Sequence, residues 1–264
     1  MNRVAVHHSV LDPTDPVACV LAARAGGIDA VGLHVASEDA AERAWEHGAG
    51  APLLAALVDV LLVSRVTALD VGRIDLGDPP GTAAADPRHR ALDLAGRLGA
   101  QFVTARASST VDTADAVAVL CHQAEPFRVR PVLVPTPGTP VASPRDAIAA
   151  VAGSRAGIVL DVVPSTVDAD EVAELLVEAG DALGYVRVPA DELGVDMGAA
   201  TSLLATLPPW VPVVVGAPRE PLGRRPDPAD PTSAARSGAF LAACRAGVDR
   251  LLVHPRALEA ERGR

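Results

Sequence analysis

The chain has 264 residues, 49% of them hydrophobic, enough for one large α/β domain or two small ones with a sizeable core. Its net charge of −10 opposes non-specific nucleic-acid binding, which Lys and Arg drive by neutralising phosphates, and leaves a small molecule as the expected partner. All 23 basic residues are Arg, and a chain without lysine cannot form a Schiff base with a carbonyl substrate or hold pyridoxal phosphate as an internal aldimine.

The opening MNRVAVHHSV runs directly into a strand pattern, with no charged segment followed by a long apolar one. No charge-free apolar stretch reaches the roughly 18 residues of a membrane span, so a cytoplasmic protein is expected. Short β-rich runs then alternate with longer Ala- and Leu-rich segments of helical period. RVAVHH (3–8) precedes a helix over 14–26, and AVGLHV (30–35) one over 49–64. VTALDVGRIDL (66–76) precedes 87–98, QFVTARA (101–107) precedes 112–124, and RPVLVPT (130–136) precedes 144–153. GIVLDVV (157–163) precedes 168–179, ALGYVRVP (182–189) precedes 198–206, and VPVVVGA (211–217) precedes 232–246.

Asp12-Pro13, Asp86-Pro87, Ser143-Pro144 and Asp230-Pro231 each set a capping residue before a proline that suits a first helical turn. Continuous apolar strands alternating with helices imply a parallel sheet covered by helices, and eight units in about 250 residues match a (β/α)₈ TIM barrel in a single domain, 1–264. An open doubly wound sheet would carry a glycine fingerprint after its first strand, where this chain reads HHSVLDPTD. The Pro-rich stretch 217–231, APREPLGRRPDPADP, follows the last strand and would stand on the active face of a barrel, as a partial lid or only as a connection. Cys19, Cys121 and Cys244 lie far apart in apolar surroundings and offer no metal or redox spacing.

In such a barrel the loops after the strands form the site, so residues at strand C-termini are the candidates. These are His7 and His8, then His34, Arg73 and Asp75, Thr104 and Arg106, Thr136, Asp161, Arg187 with Asp191, and finally Arg219 and Glu220. Histidine exchanges protons near neutral pH, which makes His7, His8 and His34 acid/base candidates with Asp161 as base or orienting partner. Successive strand residues face opposite ways, so only one of His7 and His8 can look inward. Arg106 and Arg187 interrupt apolar runs, where an unpaired charge is expensive; each either meets an acidic ligand or pairs with an acid, for instance Arg187 with Asp161. Arg73 and Asp75 share a face and carry the same alternatives, and Thr136 and Asp191 complete the expected substrate-binding set.

GIDAVGLHV (27–35), ALDLAGRLGAQFV (91–103), RPVLVPTPGTPVASPRDAIAAV (130–151) and GIVLDVVPS (157–165) together resemble the xylose isomerase-like barrel superfamily of sugar-phosphate isomerases and epimerases. The resemblance covers roughly the first 190 residues. It implies divalent-metal chemistry, with carboxylate and histidine ligands at the strand ends. Of those ligands only Asp161 is matched: Gly32 stands where a second-strand Glu is expected, Pro135 where a fifth-strand Glu is, and Pro164 where a His follows the aspartate. The last strand ends VVVGAP where a further Glu is expected.

The leading expectation is therefore a metal-independent, cofactor-free isomerase or epimerase, acting by acid/base proton transfer on a small polar, anionic metabolite, in specialised biosynthesis. A metal-dependent sugar isomerase with relocated ligands, and a non-catalytic barrel with a binding or scaffold role, are the alternatives. An endonuclease is opposed by the acidic charge and the 2% aromatic content. The segment APLLAALVDVLLV suits either a homodimer interface or a well-buried helix.

Overall fold

The computed structural model describes residues 2–10, 16–34, 51–77, 86–193, 204–216 and 233–252. Its strands are β1 (Val4–His7), β2 (Ala30–His34), β3 (Thr67–Asp75), β4 (Phe102–Arg106), β5 (Arg130–Val134), β6 (Gly157–Asp161), β7 (Leu183–Pro189) and β8 (Val213–Gly216). Each pairs in parallel with the next, and β8 returns to β1, so the sheet closes with no free edge. The described helices between them are α1 (Pro16–Ala25), α2 (Ala51–Ser64), α3 (Pro87–Leu98), α4 (Thr113–Ala124), α5 (Pro144–Val151), α6 (Ala169–Ala179) and α7 (Ser233–Leu252). This is the expected (β/α)₈ TIM barrel. The helix expected at 198–206 falls outside the described residues except for 204–206, which form a turn, and the Pro-rich stretch 217–231 lies outside them entirely.

Local chemistry places the helix ends where the sequence suggests. Asp86 accepts a hydrogen bond from the Arg88 amide at 2.9 Å, Pro87 fills the first turn, and Gly99 closes α3 in the left-handed conformation at φ 63°. Ser143 and Asp146 form a reciprocal capping box at the start of α5. One apolar shell fills the space between sheet and helices, with Val4, Val6, Leu57, Leu92, Leu120 and Leu241 among its fully buried members. Cys19 and Cys244 are buried within it.

Helix α2 buries one face and exposes the other. Leu57 and Leu61 are buried against the barrel, whereas Leu62 and Val63 are 72% and 85% exposed. No described helix is long and apolar enough to cross a membrane.

A second cluster lies inside the barrel. Ala5, Ala30, Leu69, Phe102, Val132, Val159, Tyr185 and Val214 form it, one from each strand and none more than 2% exposed. Side chains alternate faces along a strand, so the residues two positions beyond this plug point the same way, one step nearer the mouth.

Candidate active site at the barrel mouth

That next step is made of His7, Gly32, Thr104, Val134, Asp161, Arg187 and Gly216, from every strand except β3. Strand β3 supplies Asp70 by a different route. Its register against β2 runs Val31 to Ala68 and then Gly32 to Asp70, so Leu69 has no β2 partner. Such a bulge re-aims side chains, and here it turns both Leu69 and Asp70 into the barrel. Three glycines make room. A Cβ on Gly32 would collide with Asp70 Oδ1 and approach His7 Cδ2 to 3.2 Å, one on Gly72 would collide with Thr104 Oγ1, and one on Gly216 would stand 2.8 Å from Arg187 Cγ.

The polar groups sort into two tiers. Below, Tyr185 donates its hydroxyl to Asp70 Oδ2 at 3.1 Å, and both residues are 1% exposed. Burial drives the Asp70 carboxyl up from its ordinary value to about 6, against the opposing pull of the Tyr185 hydrogen bond and the Arg187 charge. Burial, reinforced by the neighbouring Asp70, likewise raises the Tyr185 phenol well above its ordinary value. Above, Arg187 grips Asp161 with two parallel hydrogen bonds, Nε to Oδ1 at 2.6 Å and Nη2 to Oδ2 at 2.7 Å. Burial opposes the guanidinium charge, but the hydrogen bonds and attraction of Asp161 outweigh it and hold Arg187 above its ordinary pKa. Beside this pair, Glu192 accepts from the Ser165 amide at 2.9 Å and from its hydroxyl at 2.6 Å, tying the loop after β6 to the turn after β7.

The predicted residues separate accordingly. His7 continues the inward column of Ala5 and is half-buried, while His8 opens a short 3₁₀ turn and is 5% exposed, its ring 4.6 Å from that of His7. Arg106 ends β4 half-buried, with Nε enclosed and without a hydrogen-bond partner. It makes no ion pair among the described residues. His34 ends β2 opposite Gly72 in register; its side chain lies outside the described residues, as do Arg219 and Glu220.

Asp75, opposite Arg106 in register, accepts from the Gly77 amide at 3.0 Å, and its strand neighbour Arg73 is exposed. Thr136 donates to the Val134 carbonyl at 3.1 Å and so belongs to its own turn. Asp191 lies in the short 3₁₀ turn Ala190–Leu193 after β7. Asp70 and Tyr185 are the members that strand-end reasoning misses. Their signals were an acid inside TALDVG and the chain's single tyrosine inside GYVRV, both too costly to bury without a partner.

The resemblance implies a divalent cation at this mouth. Both oxygens of the matched ligand, Asp161, are taken by a guanidinium, whose positive charge would repel a cation at the same place. Gly32, Pro135 and Pro164 offer no side-chain donor where ligands are expected, and no cluster of three or more His, Cys, Asp or Glu occurs among the described residues. These residues do not fit a divalent metal.

No family model matches the chain, and no curated protein matches it. Solved structures do. The 3-keto-D-glucoside 4-epimerase of E. coli superposes with a TM-score of 0.66 at 14% identity, over 93% of this chain and 100% of that one. A D-allulose 3-epimerase from Methylomonas sp. gives 0.67 at 15%, over 96% and 99%. A probable 3-DHS dehydratase of petrobactin synthesis from Bacillus anthracis gives 0.61 at 10%, over 90% and 97%. The chain shares the fold of these enzymes, a closed (β/α)₈ barrel.

Proposed function

We propose that this barrel is a sugar-modifying enzyme of the isomerase or epimerase type that moves a proton beside a carbonyl without a metal, on a small anionic substrate. The observation that carries this reading is the composition of the mouth: a half-buried His7 and an Arg106 guanidinium with no ion pair among the described residues share it with an Asp161 carboxylate already neutralised by Arg187. Structural likeness to two epimerases and a dehydratase supports the reaction class.

The chemistry follows from the side chains. His7 takes the proton from the carbon next to a carbonyl, leaving an enediolate whose extra charge sits on oxygen. Return of a proton to the other face of that carbon, by a second group such as His34 at the end of β2, gives an epimer; return by His7 to the former carbonyl carbon gives an isomer. Arg187, fixed by Asp161, supplies a preorganised positive charge at the mouth for the developing oxyanion. Arg106 binds the substrate's carboxylate or phosphate.

The test is deuterium uptake from heavy water beside the carbonyl of ketoses, aldoses, their phosphates and uronates, followed by NMR. Uptake that survives chelation is expected, as is a fall of about 10²-fold or more in His7→Gln. Arg106→Gln should raise KM at least tenfold for charged substrates and leave neutral ones unaffected. Stoichiometric metal with chelator-sensitive turnover would replace this reading with a metal-dependent isomerase. Intact biological activity in both His7→Gln and Asp161→Ala would replace it with a binding barrel.

A further inference from the structure

Asp70 is a costly group to bury. It is 1% exposed, and while Oδ2 accepts from Tyr185, Oδ1 is enclosed without a hydrogen-bond partner. Leaving a buried acceptor bare is penalised, so a carboxylate kept in this state calls for a role that an apolar residue could not fill. Packing does not call for it, since all eight strands, β3 included through Leu69, already complete the layer beside it with apolar or aromatic side chains.

The geometry also shows where the bare oxygen points. It occupies the space in front of Gly32 where a Cβ would stand, and the next side chain beyond that space is His7, whose Cδ2 lies 3.2 Å from the same position. Gly32 therefore acts as a window between an acid on β3 and an imidazole on β1. The β3 bulge is what brings Asp70 to the window.

We propose that Asp70 is a positioning residue for His7, its bare Oδ1 facing the imidazole across Gly32 so that the carboxylate sets the charge the ring carries at the barrel mouth. The proposal rests on the proton-transfer role given to His7 above. Among the described residues, the other titratable or charged groups around Asp70 are Tyr185 and Arg187 on β7, with Asp161 beyond them on β6, and His8 against His7. Among the described side chains, β2 and β4 bring Gly32, Phe102 and Thr104 to this level, which do not titrate, with Arg106 further along β4 at the mouth.

An ionised Asp70 favours the imidazolium, and a neutral one releases it. The carboxyl titrates near 6, the range in which histidine itself titrates, so a mutual influence of the two groups would show as a shared inflection there. Tyr185 holds the Asp70 step in place by donating to Oδ2.

The experiment is an imidazole ¹⁵N titration of the full chain, with His7 assigned by His7→Gln. Asp70→Asn should lower the His7 midpoint by about one pH unit, a tenfold loss of imidazolium, while His89 and His122 keep theirs. Tyr185→Phe should move the Asp70 step upward and carry the His7 inflection with it. In the wild type, the Asp70 carboxyl ¹³C curve should share an inflection with His7, a reading that needs no variant to fold. Independent single-step curves in the wild type, or an unchanged His7 midpoint in a folded Asp70→Asn, would overturn the proposal. The readout does not depend on turnover: coupling without deuterium uptake upholds this inference while removing the proposed function, and uptake without coupling does the reverse.

Discussion

At the scale of single residues, the mouth is governed by how each charge is housed. The acids Asp161 and Asp70 illustrate two solutions: the first is partly exposed and answered by a bidentate guanidinium, the second is sealed in and answered by a phenol. The second has a thermodynamic signature. In the folded chain Asp70 keeps its proton to about pH 6, whereas an ordinary carboxyl releases it near 3.8. Between those values the native state binds more protons than the unfolded chain. The stability associated with the neutral carboxyl is therefore complete below about 3.8 and lost as pH rises through about 6, a loss of ~3 kcal/mol. Asp70→Asn should abolish this slope, leaving the variant near parity with the wild type at pH 4 and ~2–3 kcal/mol more stable at pH 8, measured as the difference between paired urea titrations.

At the scale of elements, what the sequence makes legible is what neighbouring residues decide together. Asp86-Pro87 and Ser143-Pro144 predict helix starts, and α3 and α5 begin at those prolines because the preceding side chains satisfy amides that the first turn leaves open. Ser143→Ala should cost about 1 kcal/mol in chemical denaturation, since it removes one arm of a reciprocal cap. Strand β3 was less legible. Strict alternation along TALDVG puts Asp70 on the opposite face from Leu69, and the register shift against β2 sets both inside. A bulge depends on how two strands distant in sequence align, which no local pattern records.

At the scale of the whole molecule, closure is what turns scattered strand ends into one site. Residues 7, 70, 106, 161 and 187 meet at one mouth only because eight parallel strands complete a ring. The positive charge of that mouth is carried by the chain's own arginines, so chelator treatment of the purified protein should leave its thermal midpoint within about 1 °C. Arg187→Gln should lower stability by about 1 kcal/mol, a modest value because both partners of the pair are partly exposed to screening solvent. The same variant should slow turnover far more than it destabilises, which a comparison of kcat with unfolding free energy would show.

Local sequence by itself determined the alternation of strands and helices, their number, the barrel they imply, and the set of polar residues at the strand ends. These follow from hydrophobic period, capping chemistry and chain length, all properties of residues close together in the chain. Tertiary structure alone decided which charges neutralise each other. Two residues separated by 26 positions, Asp161 and Arg187, are register partners, and two separated by 115, Asp70 and Tyr185, share a hydrogen bond. It also decided that Gly32, which in the sequence reads as a missing ligand, is an opening between an acid and a histidine. The physical reason is that ion pairing and burial depend on distances across the barrel, and those exist only once the ring has closed.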